Sequence, residues 1–198
     1  MHGHRLPRRF FAQPTLTVAR RLIGMRLVRL CNGRRRVGRI VETEAYRPND
    51  PASHSYRGMT ERNRAMFASH LHAYVYFIYG ANWCLNISSE EEGVGAAVLV
   101  RACAPVQGTA TMRALRARDV RDHELARGPG NLCRAFAIGP EFDGVDLEHD
   151  GRLWLADDGT RVGIGTSTRI GLTKAAERPL RFYARGNASV SGRRALSP

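Results

Sequence analysis

Between Val41 and Tyr56 the chain reads VETEAYRPNDPASHSY, a strand-like segment that breaks into a polar, proline-bearing loop. Glu42 and Glu44 stand two apart, so on a strand they share one face at about 7 Å. That spacing resembles the carboxylate pairs that act on glycosidic bonds, although a solvated strand face can carry the same pair without chemistry. A strand end opening into a loop is where catalytic side chains are commonly displayed, and His54 lies close enough in sequence to return to Glu44. Further on, AYVYFIYG presents Tyr74, Tyr76 and Ile78 on one strand face and Val75, Phe77 and Tyr79 on the other. Val75 and Phe77 are expected in the core, whereas Tyr79, beside Gly80 at the strand end, could wedge into a base stack. Asn86 is the one amide in the apolar run WCLNIS. If buried it needs a partner, which either a purine edge or a neighbouring backbone group would supply. Arg101 ends AAVLVR, an ion beside a buried strand that implies a nearby anion.

Other reactive residue types point elsewhere. Cys31, Cys84, Cys103 and Cys133 are scattered without a CxxC pair, which argues against a zinc site or a disulfide framework. Cys84 and Cys103 sit in apolar runs and read as small buried side chains. His70 and His72 lack an evident acidic or cysteine partner and read as a surface loop. HELARGPGNLCRA has a glycine-flanked turn feeding a helix, either an anion-binding N-terminus or a plain connection.

The elements that must position these residues follow from pattern. Residues 14–23 have helical apolar spacing between Pro14 and Gly24. MRLVRL and RRRVGRIVETEAY, joined by CNG, predict a hairpin. ERNRAMF reads as a short helix, and AYVYFIYG, WCLNIS and AAVLVRAC as strands. Helical pieces are expected over 109–118, 120–127 and 132–137, with RGPGN between the last two as a turn that cannot be helix. Short strands around RLWLA, TRVGIG and PLRFYARG complete the chain. This order lacks βαβ alternation and predicts an α+β fold, a single compact domain over 1–198 around a mainly antiparallel, curved, barrel-like sheet with peripheral helices.

Length and composition agree with one soluble domain: 198 residues, 43% hydrophobic and 25% charged. No apolar run is long enough for a membrane span, and the basic N-terminus lacks the apolar core of a secretory signal. A cytoplasmic monomer is expected. A net charge of +13 exceeds what solubility needs and points to a polyanionic partner. Lys174 is the only lysine.

Taken together, RIVETEAY, the His54 loop, TERNRAMF, YVYFIYG, the Asn86 strand, LVRA, GPGNLCRAFAI and RPLRFYARG resemble the methylpurine (alkyladenine) DNA glycosylase family in order and spacing, from about Leu6 to Val190. The resemblance implies a base-excision enzyme that flips alkylated or deaminated purines out of double-stranded DNA and hydrolyses the N-glycosidic bond. It implies Glu44 as general base, with Arg101 holding Glu44 and the attacking water, and leaves Glu42 structural. Tyr46, His54 and Tyr76 would sandwich the flipped base, and Asn86 would disfavour normal guanine. Tyr79 would fill the gap in the duplex, with Arg62 and Arg64 contacting DNA. No metal or organic cofactor is implied. Lys174, distant in sequence from Glu44, leaves little amine for a Schiff base, so a monofunctional hydrolase is expected. Glu90-Glu91-Glu92 would repel DNA if it faced the groove. A non-catalytic binder of damaged nucleic acid is the alternative; it would have no use for Glu44, Arg101 and Asn86 together. A hydrolase of free nucleosides would account for the pocket but not for the charge.

Overall fold

A computed structural model describes residues 3–78, 80, 82–116 and 119–192. The strands are β1 (His4–Arg5), β2 (Arg26–Cys31), β3 (Arg34–Tyr46), β4 (Ala73–Ile78), β5 (Asn82–Ser88), β6 (Ala97–Gln107), β7 (Leu153–Asp157), β8 (Ile164–Ser167) and β9 (Arg181–Ala184). Three α-helices accompany them: α1 (Thr15–Leu22), α2 (Thr109–Ala114) and α3 (Pro129–Phe136). The sheet runs β1-β7-β2-β3-β6-β5-β4, with β9 pairing β3 and β8, and every strand pairing is antiparallel. It is the curved α+β sheet expected, left open between its ends.

β3 is the spine because both its faces are covered. Val41, Thr43 and Ala45 face α1, where the Thr43 hydroxyl donates to the Ala19 carbonyl at 2.8 Å and Val18, Ala19 and Leu22 fill the core. Glu42, Glu44 and Tyr46 therefore face the other way. The β3–β6 register shifts at Ile40/Glu42 and again at Glu42/Thr43, an irregularity that bends the strand beside its carboxylates. The β2–β3 hairpin turns through Asn32 and Gly33, both with positive φ, as a tight hairpin requires.

Four expectations need correction. The RGPGN segment is no free turn. Gly128, at φ 91°, caps α3, and Pro129 occupies its first position, where a missing N–H costs nothing. The helix expected over 120–127 shrinks to a 3₁₀ turn at Asp122–Glu124, and that over 109–118 ends as α at Ala114. Arg113 takes the Val120 carbonyl and the Asp122 carboxylate, while the Glu124 side chain accepts the Arg121 N–H; such side-chain bonds compete with helix formation. Finally, Phe77 is 43% exposed and packs its ring on Trp83, outside the core that holds Val75.

The acidic loop is also accounted for. Glu90 accepts both the backbone N–H and the hydroxyl of Thr15, at 2.7 and 2.6 Å, and so caps α1. It lies beyond Ser88, about 20 Å along β5 from the β4–β5 hairpin tip.

Candidate active site

β3, β4, β5 and β6 converge with two loops on a cavity of about 410 Å³. Tyr46, His54, Tyr76, Asn86 and Arg101 all line it, so five residues singled out from sequence meet on one wall system. The remaining lining includes Tyr74, Cys84, Met66, the start of α3 at Pro129–Gly130, and Ile170–Leu172.

Glu44 is fully buried and sits one side chain behind that wall. Its Oε1 accepts the Ile170 N–H at 2.8 Å and lies 3.2 Å from Arg101 Nη1, and its Oε2 accepts the Tyr46 hydroxyl at 3.0 Å. Each of these partners is a wall residue. Glu42, equally buried, lies deeper. It accepts Arg101 Nε at 2.9 Å, Arg181 Nε at 2.7 Å, and the N–H and hydroxyl of Ser191 at 2.7 and 2.9 Å. Two carboxylates and two guanidiniums make a neutral cluster, which is how such charges tolerate burial. Burial alone would raise the Glu42 carboxyl, but Arg101 and Arg181 more than reverse this and hold it below its ordinary range. Burial likewise opposes the Arg101 charge, and Glu44 and Glu42 outweigh it.

His54 does not return to Glu44. Its Nδ1 lies 2.9 Å from the Tyr74 hydroxyl and its ring meets Tyr76 edge-on at 4.6 Å. Burial, aided by Arg62, lowers its pKa from the ordinary 6.5 and keeps it neutral at pH 7. Burial pushes the Tyr74 phenol up to about 12, and those of Tyr46 and Tyr76 still higher, so all three rings face the cavity uncharged. The His54 loop is fastened from behind: Asn63 donates to the His54 carbonyl at 2.9 Å, and the Ser55 hydroxyl donates to the Gly95 carbonyl at 2.7 Å. A Cβ on Gly95 would stand 2.5 Å from both Ser55 Cβ and the Phe67 ring. Gly95→Ala is accordingly expected to cost about 1–3 kcal/mol by overpacking, read as a fall of several degrees in a thermal melt.

Asn86 is buried and donates to the Tyr74 carbonyl, opposite it in the β4–β5 ladder, at 3.1 Å. The partner is thus backbone, and the amide is held rigidly against the cavity. Arg62 reaches the Phe77 carbonyl at 3.3 Å, and Arg64 pairs with Glu61 on an exposed surface. Tyr79 and Ala81 lie outside the described residues.

The loop after β8 carried no chemical signal in sequence, yet it completes the site. Arg169 is buried against Asp50, with contacts of 2.5 and 3.1 Å, donates to the Ala45 carbonyl, and stacks 4.7 Å from the Tyr46 ring centroid. That anchor brings Ile170 to Glu44 and sets Gly171 and Leu172 in the wall. Lys174, exposed, follows Leu172 of the wall by two residues.

Elsewhere, a wider cleft of about 800 Å³ at the N-terminal edge contains none of these groups. Among the described residues Asp146, Glu148 and His149 could approach one cation, but Arg8 already bridges the two carboxylates at 2.7 and 2.9 Å. His70 and His72 turn their Nδ1 atoms to the carbonyls of Glu90 and Ser69. All four cysteines are free, and among the described residues no helix is long and apolar enough to cross a membrane.

The family model for methylpurine-DNA glycosylase matches residues 9–188. The chain belongs to the methylpurine-DNA glycosylase family. A Mesorhizobium japonicum relative, assigned by name to the 3-methyladenine DNA glycosylases, is 51% identical over 92% of this chain and 88% of its own length. The human DNA-3-methyladenine glycosylase is 45% identical over 96% of this chain and 69% of its own length. A DNA glycosylase is an enzyme of DNA repair.

Proposed function

We propose that this enzyme flips alkylated or deaminated purines, 3-methyladenine among them, from duplex DNA into the 410 Å³ cavity and hydrolyses the N-glycosidic bond. The observation that carries the reading is the setting of Glu44, a buried carboxylate whose three partners are all wall residues. The cavity volume falls within the range of about 300–1,000 Å³ usual for small-molecule sites, and its rings offer faces for a stacked base. Flipping costs about a few kcal/mol, least for a damaged pair. Glu44 then takes the proton of a water admitted between Arg101 and Ile170 as the sugar becomes oxocarbenium-like. A base alkylated at N3 or N7 is already cationic and leaves without a general acid; neutral aromatic rings favour it. Asn86, pinned to the Tyr74 carbonyl, stands where an extra exocyclic amine would have to fit. Tyr79 is the wedge and Arg62 and Arg64 are DNA contacts, on a monomer of one domain in the cytoplasm. The abasic site is left intact, because water attack through Glu44 requires no amine.

The test is single-turnover base release from two labelled duplexes, one alkylated and one containing hypoxanthine, with borohydride present in parallel. Release of base, an alkali-labile strand and no trapped adduct are expected. A covalent adduct would assign lyase chemistry, with Lys174 the first amine to replace. Tight, salt-sensitive binding without release would make the protein a damage binder.

A further inference from the structure

Arginine usually meets a carboxylate with two parallel N–H groups. Arg101 does not do so with Glu44. Its Nε goes to Glu42 at 2.9 Å, its Nη1 to Glu44 at 3.2 Å and its Nη2 to the Ser191 hydroxyl at 3.4 Å, so the shortest contact belongs to Glu42. Glu42 cannot follow Arg101 toward the cavity, since Arg181 and Ser191 grip it from the far side. It is absent from the cavity wall. We propose that Glu42 is a positioning residue: it holds Arg101 by one arm, prevents a two-armed grip on Glu44, and so leaves Glu44 free to take the proton of the attacking water.

The inference rests on the reading of Glu44 as the general base. A carboxylate clamped by both arms of a guanidinium loses proton affinity, and general-base efficiency falls with it. That restraint on Arg101 vanishes when Glu42 is neutralised, so the sign of the change is determined. The groups facing Glu44 are Arg101 from β6, Arg181 opposite it on β9, Cys84 from β5, Tyr46 and Glu42 on its own strand, and Arg169 behind Tyr46. Arg101 and Arg181 both lose a charged partner when Glu42 becomes an amide; Arg181 stays held by the Ser191 carbonyl at 2.6 Å, whereas Arg101 has Glu44 within reach.

The experiment is the pH profile of single-turnover hypoxanthine release for wild type, Glu42→Gln and Glu42→Asp, with Glu44→Gln as reference. In Glu42→Gln the plateau rate is expected to fall about tenfold and the acid limb to move about one unit lower, with duplex affinity unchanged. Glu42→Asp keeps the charge that Arg181 requires but withdraws the carboxylate by about one C–C bond. It should shift the limb the same way by less, and it decides the matter if the glutamine variant does not fold. A wild-type acid limb in either folded variant, or reduced burst amplitude at unchanged rate, would make Glu42 merely structural and overturn the proposal. An active Glu44→Gln enzyme would instead overturn the underlying reading of Glu44, and the proposal with it.

Discussion

Glu44→Gln is expected to lower single-turnover base release by about 10²–10⁴-fold, the usual weight of a general base, while lesion-duplex affinity persists. The substitution keeps the shape and removes only the proton acceptor. Its surroundings make the result sharp. Glu44 receives donors from the Ile170 N–H, Arg101 and the Tyr46 hydroxyl, and an amide has a single acceptor oxygen to answer them. One donor then faces the amide NH₂, costing about 1–3 kcal/mol, so a thermal melt must accompany the kinetics. Equal loss on both lesions would place water activation on Glu44 irrespective of the leaving group. Loss on hypoxanthine alone would mean that a cationic base departs without help, and would limit Glu44 to neutral lesions. Unchanged release on both would remove it from the mechanism.

The second large effect is on stability. Asp50→Ala should cost about 3–5 kcal/mol, because it leaves the fully buried Arg169 charge without its carboxylate. For a chain of this size each kcal/mol lowers Tm by about 2–4 °C, so the melt should drop by roughly 10 °C. Activity should fall in the protein that remains folded, since Arg169 is the anchor that carries Ile170 to Glu44. Replacing Arg169 and Asp50 together by apolar residues should recover much of the stability and little of the rate. Recovery of both would show that the loop needs no ionic anchor. An Asp50→Ala protein with the wild-type melt would mean that Arg169 has found water or another partner.

Much of this site was readable from local pattern. The alternation in VETEAY and AYVYFIYG assigns Glu42, Glu44 and Tyr46 to one face and Tyr74 and Tyr76 to another, and period-two geometry carries the three tyrosines into the cavity wall and Glu44 behind it. Arg101 at the end of an apolar strand implied an anion, and it found two. Asn86 in an apolar run implied a polar partner, and the Tyr74 carbonyl supplies it. Where local reading failed, the deciding contact came from far along the chain. The acidic run at Glu90 carries no sign of a cap in sequence, yet Glu90 caps α1 from 75 residues away. His54 lies near Glu44 in sequence, yet its loop is drawn to Tyr74 and Tyr76 by Asn63 and Ser55.

Residue type and spacing thus determined the sheet, the family and most of the residues that meet at the cavity, because alternation and buried polar residues leave local signatures. Tertiary structure alone decided how those groups are charged and aimed. The arginine at 169 is one among many in a basic chain, and only burial against Asp50 makes it an anchor. Glu42 and Glu44 are alike in sequence, and they differ because Arg181 and Ser191, some 140 residues later, close on one of them and leave the other to the cavity wall. Desolvation and long-range pairing set those differences, and neither is a property of neighbouring residues.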